Sequence, residues 1–342
     1  MNNRKIIIDA PYNVVIDDSS VRQANEDEAI IKVKSSSICG SDLHIYKGKH
    51  PAVKLPTTIG HEFSGEIVWI GKENNGFKVG DRIVLEPIIN CGKCKMCLSD
   101  NYGLCENATF SYRVGDGAMA DYVVGKTAHL FKLNDNMSYD IGSIIEPLSV
   151  ANRAVKRACP TKEDKILIMG AGTIGIFIAA ILKYKGFEDI TIVDFADKRL
   201  ELASSLGAKY TLNPKGKDTI EELNTIHRDG YSIAFECIGK EEVFKNCLAC
   251  LNTNGTLLQV GIFEKPNITF DASILINKQI TIKGTQGYNN DFSEALNIAS
   301  NIDFSKMITH IYPLSKYKDA IECALNASTT GAVKVLIHPE ED

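Results

Sequence analysis

The stretch Gly170-Ala171-Gly172-Thr173-Ile174-Gly175 follows an apolar run, Lys165–Met169, and opens a helical pattern over Ile174–Lys185. In a strand–turn–helix unit the first glycine permits a tight turn, the second lets the backbone approach a pyrophosphate, and the third lets helix and strand pack closely. The helix start supplies free N–H groups and a positive dipole end. The stretch predicts a dinucleotide site made by Gly170, Gly172, Thr173, Ile174 and Gly175, with an ordinary strand–helix turn as the alternative.

Asp194 ends the next predicted strand, at the spacing of about 20 residues where a carboxylate can accept hydrogen bonds from the adenosine ribose. A carboxylate there would repel the 2′-phosphate of NADP, so the sequence favours NAD. Lys198 and Arg199 follow closely enough to soften that repulsion, and we include Arg199 in the predicted cofactor site. The alternative for Asp194 is a solvated loop carboxylate.

The glycine stretch lies in a half of the chain where short strands alternate with helices. Predicted helices follow the strands at Ile174–Lys185, Asp197–Leu206, Thr219–His227 and Glu242–Leu251. The predicted strands are Lys165–Met169, Asp189–Val193, Lys209–Leu212, Ile233–Glu236, Gly255–Val260 and Gln279–Lys283. Such alternation predicts a doubly wound parallel sheet of the α/β class.

The rest of the chain has a different pattern of predicted secondary structure. Before the parallel half, short β-like runs such as Ala29–Val33, Gly65–Ile70 and Arg82–Leu85 alternate with turn-rich segments, which indicates an irregular β-rich domain. The last part gives helices and strands again, and we expect it to return to the first domain. We therefore divide the chain into a first, β-rich domain (1–150), a dinucleotide-binding domain (151–286) and a segment that returns to the first domain (287–342).

Size and composition set broad limits. The chain has 342 residues, 44% apolar and 24% charged, which is typical of a folded protein of two domains. A net charge of −5 and no basic stripe argue against a nucleic-acid partner. The uncharged run Ile166–Leu182 approaches membrane-span length, but its glycines divide it into a buried strand and a helix. We expect no membrane partner, no export signal and a cytoplasmic location, where the ten cysteines stay reduced.

Four of those cysteines, Cys91, Cys94, Cys97 and Cys105, follow the spacing C-x2-C-x2-C-x7-C. Four thiolates around a tetrahedral Zn²⁺ make a closed site without an open position, so we predict a structural zinc. An iron–sulfur cluster, unligated packing cysteines and a nucleic-acid zinc finger are the alternatives, and the acidic net charge argues against the last. The ferredoxin spacing is not matched, because no C-x3-C followed by proline is present.

A second set of ligand types lies outside the quartet, in Cys39-Gly40-Ser41-Asp42-Leu43-His44 and Gly60-His61-Glu62. A catalytic zinc takes about three protein ligands and keeps one exchangeable position. By themselves, however, Cys39 reads most often as a small buried hydrophobe and His61 as a core histidine.

Taken together, these motifs resemble the zinc-containing branch of the medium-chain dehydrogenase/reductase superfamily, and especially its polyol dehydrogenases. The resemblance covers nearly the whole chain. It runs in order through Cys39-Gly40-Ser41-Asp42, Gly60-His61-Glu62, the cysteine quartet, Glu146-Pro147-Leu148, Gly170–Gly175 and Asp194. It implies a GroES-like β-rich catalytic domain, a Rossmann domain, two Zn²⁺ per chain, NAD as cofactor, and a homodimer or homotetramer.

The resemblance also implies roles for individual residues. Cys39 and His61 are expected to bind the catalytic zinc, with Glu62 or Glu146 completing the site directly or through water. Ser41 and His44 are expected to form a proton relay. The implied reaction moves a hydride between NAD and a secondary alcohol or polyol, such as a sorbitol-like sugar alcohol or 2,3-butanediol, giving the ketone.

The substrate within this branch is left open by the sequence. Sorbitol dehydrogenases usually carry an Arg-Tyr pair where this chain has Gly287-Tyr288, and other segments resemble butanediol and threonine dehydrogenases as closely. Threonine or a sugar-alcohol phosphate is therefore an alternative substrate. Two further hypotheses remain: a zinc-free reductase on the same fold, and a zinc scaffold that binds NAD without catalysis.

Overall fold

The computed structural model describes residues 1–263 and 265–341, and the chain divides into two compact units. Unit 1 comprises Met1–Pro147 together with Phe292–Asp342, and unit 2 comprises Leu148–Asp291. The predicted α/β class, with one β-rich part and one doubly wound parallel sheet, is confirmed.

The first part of unit 1 consists mainly of short strands. They are β1 (Asn2–Ala10), β2 (Asn13–Ser20), β3 (Glu28–Ser37), β4 (Thr57–Thr58), β5 (Glu62–Ile70), β6 (Arg82–Leu85), β7 (Ile88–Ile89), β8 (Thr109–Phe110), β9 (Tyr122–Lys126) and β10 (Leu130–Lys132). The helices are α1 (Gly40–Tyr46), α2 (Lys95–Leu98) and α3 (Tyr139–Ser143), followed by α4 (Ile145–Ala158), within which the boundary between the units falls.

Unit 2 alternates strands and helices as the sequence predicts. Its strands are β11 (Ile166–Met169), β12 (Ile190–Val193), β13 (Tyr210–Leu212), β14 (Tyr231–Glu236), β15 (Leu251–Gln259) and β16 (Thr281–Gly284). Its remaining helices are α5 (Thr173–Tyr184), α6 (Asp197–Ser205), α7 (Thr219–Ile226), α8 (Glu241–Cys250) and α9 (Ser273–Lys278). The strands pair in parallel in the order β13-β12-β11-β14-β15-β16.

This strand order reverses direction at β11 and β14, and dinucleotides bind at the carboxyl ends of parallel strands at such a switch point. All four residues of β11 are buried, and α5 is buried from Gly175 to Leu182. The apolar run through residues 166–182 is therefore core of a parallel sheet, which is covered on both faces. Among the described residues, no helix has the length and apolar character to cross a membrane.

The last part of the chain adds two strands to the main sheet of unit 1. Its elements are α10 (Phe292–Asn301), β17 (Ile308–Pro313), α11 (Tyr317–Leu325), α12 (Ala327–Thr330) and β18 (Lys334–His338). The sheet runs β10-β6-β5-β3-β18-β17, with β9 also paired to β3. Ser37 at the end of β3 is aligned with Glu62 on one side and with Leu336 of β18 on the other. The final strand thus reaches the start of β5, where candidate metal ligands lie.

Candidate metal centres and dinucleotide site

Cys39 is placed by the cap of helix α1. It is the N-cap residue, and its N–H donates to Oδ2 of Asp42 at 2.9 Å. Oδ1 of the same carboxylate accepts from the N–H of Gly60 at 3.2 Å and lies 3.7 Å from Nδ1 of His61. Asp42 is 2% exposed, so one buried carboxylate fixes both the cysteine and the histidine segment.

The backbone before His61 is also constrained. Gly60 has φ of +89°, and a Cβ at this position would lie 2.6 Å from the backbone nitrogen of Met119. Only glycine fits this close approach without displacing the chain. His61 and Glu62 then enter β5, and the ligand atoms of Cys39, His61 and Glu62 all lie within 4.8 Å of one another. These three residues could therefore hold one metal ion.

The carboxylate of Glu62 is fixed by hydrogen bonds from two residues that the sequence analysis did not single out. Its Oε2 accepts hydrogen bonds from the hydroxyl of Ser37 and from Nζ of Lys334. Lys334 is 1% exposed and also donates to the carbonyl of Ile38 at 3.3 Å. The sequence contained one signal of this contact, because Lys334 begins a last strand whose next three residues are apolar. A lysine buried in such a strand requires an anionic or carbonyl partner.

Glu146, the other predicted carboxylate, lies in the first turn of α4 and is 8% exposed. Burial raises its pKa to about 7; the charge of His61 opposes this shift and the charge of Glu62 adds to it. Glu146 is therefore near the cluster, but it is not one of the three residues whose ligand atoms converge. The geometry favours Glu62 as the direct ligand.

The electrostatics of this cluster fit a cation. Burial raises the pKa of both the Cys39 thiol and the Asp42 carboxyl. Burial by itself would lower the pKa of His61, but the charges of Cys39 and Asp42 raise it well above its ordinary value. Buried anions without a compensating charge are costly, and a thiolate, an imidazole and a carboxylate together are a suitable ligand set for Zn²⁺.

Ser41 and His44, the predicted proton relay, are three residues apart on α1 and so share one face of the helix. The Oγ of Ser41 is buried and has no hydrogen-bond partner among the described residues. A buried hydroxyl without a partner costs free energy, and a bound substrate hydroxyl would satisfy it.

Aromatic rings pack against His61 from the segment around β8. The ring centre of His61 lies 5.4 Å from that of Tyr112 and 6.3 Å from that of Phe110. The guanidinium carbon of Arg113 lies over both rings, 5.5 Å from the centre of Phe110 and 5.8 Å from that of Tyr112. This packing of Phe110, Tyr112 and Arg113 beside His61 was not predicted from the sequence.

The four predicted structural ligands converge separately. The sulfurs of Cys91, Cys94, Cys97 and Cys105 lie within 4.8 Å of one another, with Sγ–Sγ distances of 3.9 Å for Cys91–Cys97 and 3.6 Å for Cys94–Cys97. Tetrahedral zinc with Zn–S bonds of about 2.3 Å requires sulfurs about 3.8 Å apart. The N–H groups of Lys93 and Cys94 lower the pKa of Cys91 to about 6, which favours the thiolate.

Unit 2 carries the glycine stretch between β11 and α5. A Cβ on Gly175 would lie 1.9 Å from the carbonyl oxygen of Gly170, so close strand–helix packing requires the third glycine. A Cβ on Gly172, the N-cap of α5, would meet nothing within 4 Å. Protein packing therefore leaves the space at Gly172 open, as approach of a pyrophosphate to the helix start requires.

Asp194 follows β12, and its carboxylate accepts hydrogen bonds from two backbone N–H groups. Ala171 within the glycine stretch donates at 2.8 Å, and Ala196 donates at 2.9 Å. The side chain is thereby fixed beside the glycine turn. Thr173 and Ile174 open α5 and are half-buried, as is Arg199 in the first turn of α6.

Comparison with known proteins agrees with both units. Residues 25–135 match the alcohol dehydrogenase GroES-like domain, and residues 173–301 match the zinc-binding dehydrogenase family. Sorbitol dehydrogenase of Bacillus subtilis is 32% identical over 99% of this chain and 98% of its own length. An L-threonine 3-dehydrogenase of Pseudoalteromonas translucida is 33% identical over 91% of this chain and 93% of its own length.

A solved structure supports the same relationship. The crystal structure of 2R,3R-butanediol dehydrogenase from Bacillus subtilis matches with a TM-score of 0.88 and 30% identity, covering 98% of this chain and 99% of that chain. The chain belongs to the zinc-containing branch of the medium-chain dehydrogenase/reductase superfamily and is a zinc- and nicotinamide-dependent alcohol or polyol dehydrogenase.

Proposed function

We propose that this enzyme oxidises a secondary alcohol or polyol to the ketone with NAD, using a catalytic zinc held by Cys39, His61 and Glu62. The observation that carries the proposal is the convergence of these three ligand atoms within 4.8 Å in a buried part of unit 1. When bound there, Zn²⁺ would act as a Lewis acid that lowers the pKa of an alcohol hydroxyl.

The residues of the chain supply the proton path. The unpartnered Oγ of Ser41 would accept the hydroxyl proton of the substrate, and its own proton would pass to the imidazole of His44 on the same helix face. Lys334 and Ser37 hold one oxygen of Glu62 and leave the other for the metal. The hydride goes to the nicotinamide ring, which provides that chemistry itself.

The substrate class is proposed from the names of the relatives. Sorbitol, L-threonine and butanediol share a secondary hydroxyl next to a second polar group. We therefore propose a compound of this kind as substrate. The direct test is NADH absorbance with a panel of sorbitol, xylitol, galactitol 1-phosphate, butanediol, threonine and simple secondary alcohols. Absence of turnover with every member, in protein loaded with zinc, would overturn the proposal.

The choice of NAD over NADP rests on Asp194. The carboxylate is fixed beside the glycine turn, where a 2′-phosphate would place negative charge against it. We expect kcat/KM with NAD to exceed that with NADP by about a hundredfold, and Asp194→Ser to narrow the ratio by about tenfold or more. An unchanged ratio in Asp194→Ser would remove this residue from the cofactor site.

Two zinc ions per chain are proposed from the two ligand clusters. The quartet is closed by four thiolates, whereas the other cluster has three ligands and an open position. Mild chelation should remove about one zinc per chain together with activity, while the protein stays folded. A total content near one would contradict the two-site proposal.

The homodimer or homotetramer and the cytoplasmic location expected from the sequence stay predictions, to be checked by sedimentation and cell fractionation.

A further inference from the structure

Arg113 is a half-buried cation of unit 1 that packs on two aromatic rings. It lies in the short helical turn Ser111–Val114, directly after β8, and is half-buried. Its Nε is buried and has no hydrogen-bond partner among the described residues. Within residues 1–263 and 265–341, no ion pair joins Arg113 to a carboxylate, and its contacts are with the rings of Phe110 and Tyr112.

Two other arginines of the same unit show the usual arrangement. Arg4 pairs with Asp121 at 2.7 Å, and Arg22 pairs with Glu28 at 2.8 Å and Asp116 at 2.9 Å. Charged side chains that lose solvent are normally paired, because an uncompensated charge away from water is costly. The ring contacts of Arg113 hold the guanidinium in place but do not cancel its charge.

The position of Arg113 connects this charge to the metal cluster. The two rings beneath its guanidinium are the rings that pack against His61. Burial lowers the pKa of His50, and the charge of Arg113 lowers it further, so Arg113 also lies near the segment that follows helix α1. An anionic group near the catalytic zinc would therefore meet a cation that is already positioned.

We propose that Arg113 recognises an oxyanion, a phosphate ester or a carboxylate, carried by the substrate of this dehydrogenase. The inference rests on the proposed function, since it names a class within the secondary alcohols. A guanidinium presents parallel N–H donors that match the two oxygens of a carboxylate or phosphate. Phosphate and carboxylate share this chemistry, and the substrates below separate them.

The first measurement compares matched substrates with wild-type enzyme loaded with zinc and supplied with NAD. Sorbitol is compared with sorbitol 6-phosphate and with gluconate, and galactitol is compared with galactitol 1-phosphate. We expect one anionic class to exceed its neutral partner in kcat/KM by about 30-fold or more, as a charge-assisted pair provides. Equal values throughout would overturn the proposal while leaving the proposed function intact.

The second measurement changes the side chain. Arg113→Met keeps the length that packs on the rings and removes the charge, so KM for the anionic substrate should rise about 30-fold while values for the neutral partner stay within about threefold. Arg113→Lys should recover part of the loss, because it restores the charge without the paired donors. Arg228→Met, at an exposed arginine of unit 2, is the matched control. An equal fall for neutral and anionic substrates would show that Arg113 only supports the rings.

Binding provides a readout that needs no turnover. Calorimetric titration of the zinc-loaded protein and NADH with sorbitol 6-phosphate, galactitol 1-phosphate, gluconate and threonine should give binding of one class that weakens at least tenfold in Arg113→Met. This result would support the oxyanion site even if no alcohol were oxidised, in which case the proposed function alone would fail. Affinity that is the same in wild type and Arg113→Met, or no binding of any of the four, would overturn the proposal.

Discussion

The two ligand clusters of unit 1 differ in how the fold assembles them. The cysteine quartet comes from one short segment, Cys91–Cys105, and three of its four cysteines are half-buried. The cluster of Cys39, His61 and Glu62 is drawn from a helix cap and a strand start, and Lys334 supports it from the last strand. A local cluster can form from loop geometry and metal alone, whereas the second requires the completed sheet. The two should therefore respond differently to substitution.

The largest effect is expected from His61→Ala. Removal of one of the three proposed zinc ligands should lower kcat/KM by about a thousandfold or more, because the Lewis acid contributes several kcal/mol to the reaction. NADH affinity should stay near the wild-type value, since the glycine stretch lies in unit 2. Steady-state kinetics, NADH fluorescence and zinc analysis measure these quantities, with His310→Ala as the control. Full activity would exclude His61 as a ligand.

The next effect concerns the support from the last strand. Lys334→Met leaves Glu62 buried without its cation, which should reduce the free energy of unfolding by about 3–5 kcal/mol. Loss of an outer partner should also weaken zinc binding at this cluster by about 10–100-fold. Urea unfolding and competition with a chelator test both, against Lys306→Met at an exposed position. If zinc affinity is unchanged, Lys334 stabilises the sheet and does not position the ligand.

In the cysteine quartet, substitution should reduce stability more than it reduces catalytic activity. Cys94→Ser removes one thiolate from a closed site, and we expect a loss of about 2–3 kcal/mol in the free energy of unfolding. The turnover of protein that retains the catalytic metal should stay within about threefold of wild type. Thermal unfolding and activity per catalytic zinc are the measurements, and Cys159→Ser changes an exposed cysteine as control. Complete loss of activity in correctly folded Cys94→Ser would contradict the assignment of the quartet as structural and of the other cluster as catalytic.

The smallest effect is expected from Glu28, whose ion pairs stabilise unit 1 without any metal ion. It therefore serves as a reference for the two metal clusters. Burial by itself would raise its pKa, but hydrogen bonds from Arg22 and Asn25 lower it from 4.5 to about 2. A lowered carboxyl pKa stabilises the folded state above pH 4.5, and this contribution is lost as the pH falls toward 2.

Glu28→Gln should therefore lower the free energy of unfolding by about 1–2 kcal/mol at pH 7, and the difference should shrink steadily below pH 4.5. Urea unfolding at pH 7, 5, 4 and 3 tests this, with the exposed Glu26→Gln as control. A difference that is constant over this pH range would mean that the amide substitution disturbs packing instead of removing a charge.

The sequence by itself determined the parts of this protein that depend on neighbouring residues. Alternating strands and helices predicted the parallel sheet, and the observed strands of unit 2 follow the predicted order. Gly170–Gly175 and the cysteine spacing predicted a turn and a cluster because glycine conformations and short loops are local properties. Asp194 could be placed because its distance along the chain is fixed by one strand and one helix.

Only the tertiary structure decided which distant side chains meet. The pairing of β18 with β3 brings Lys334 to Glu62, across most of the chain, and no local pattern specifies that contact. Asp42 looked like part of a motif, yet its role in joining Cys39 to His61 depends on where β5 begins. Arg113 packs on the rings of Phe110 and Tyr112, and in the part of the chain that the structure describes no carboxylate pairs with it. Such contacts depend on sheet register and burial, which arise when the whole unit folds.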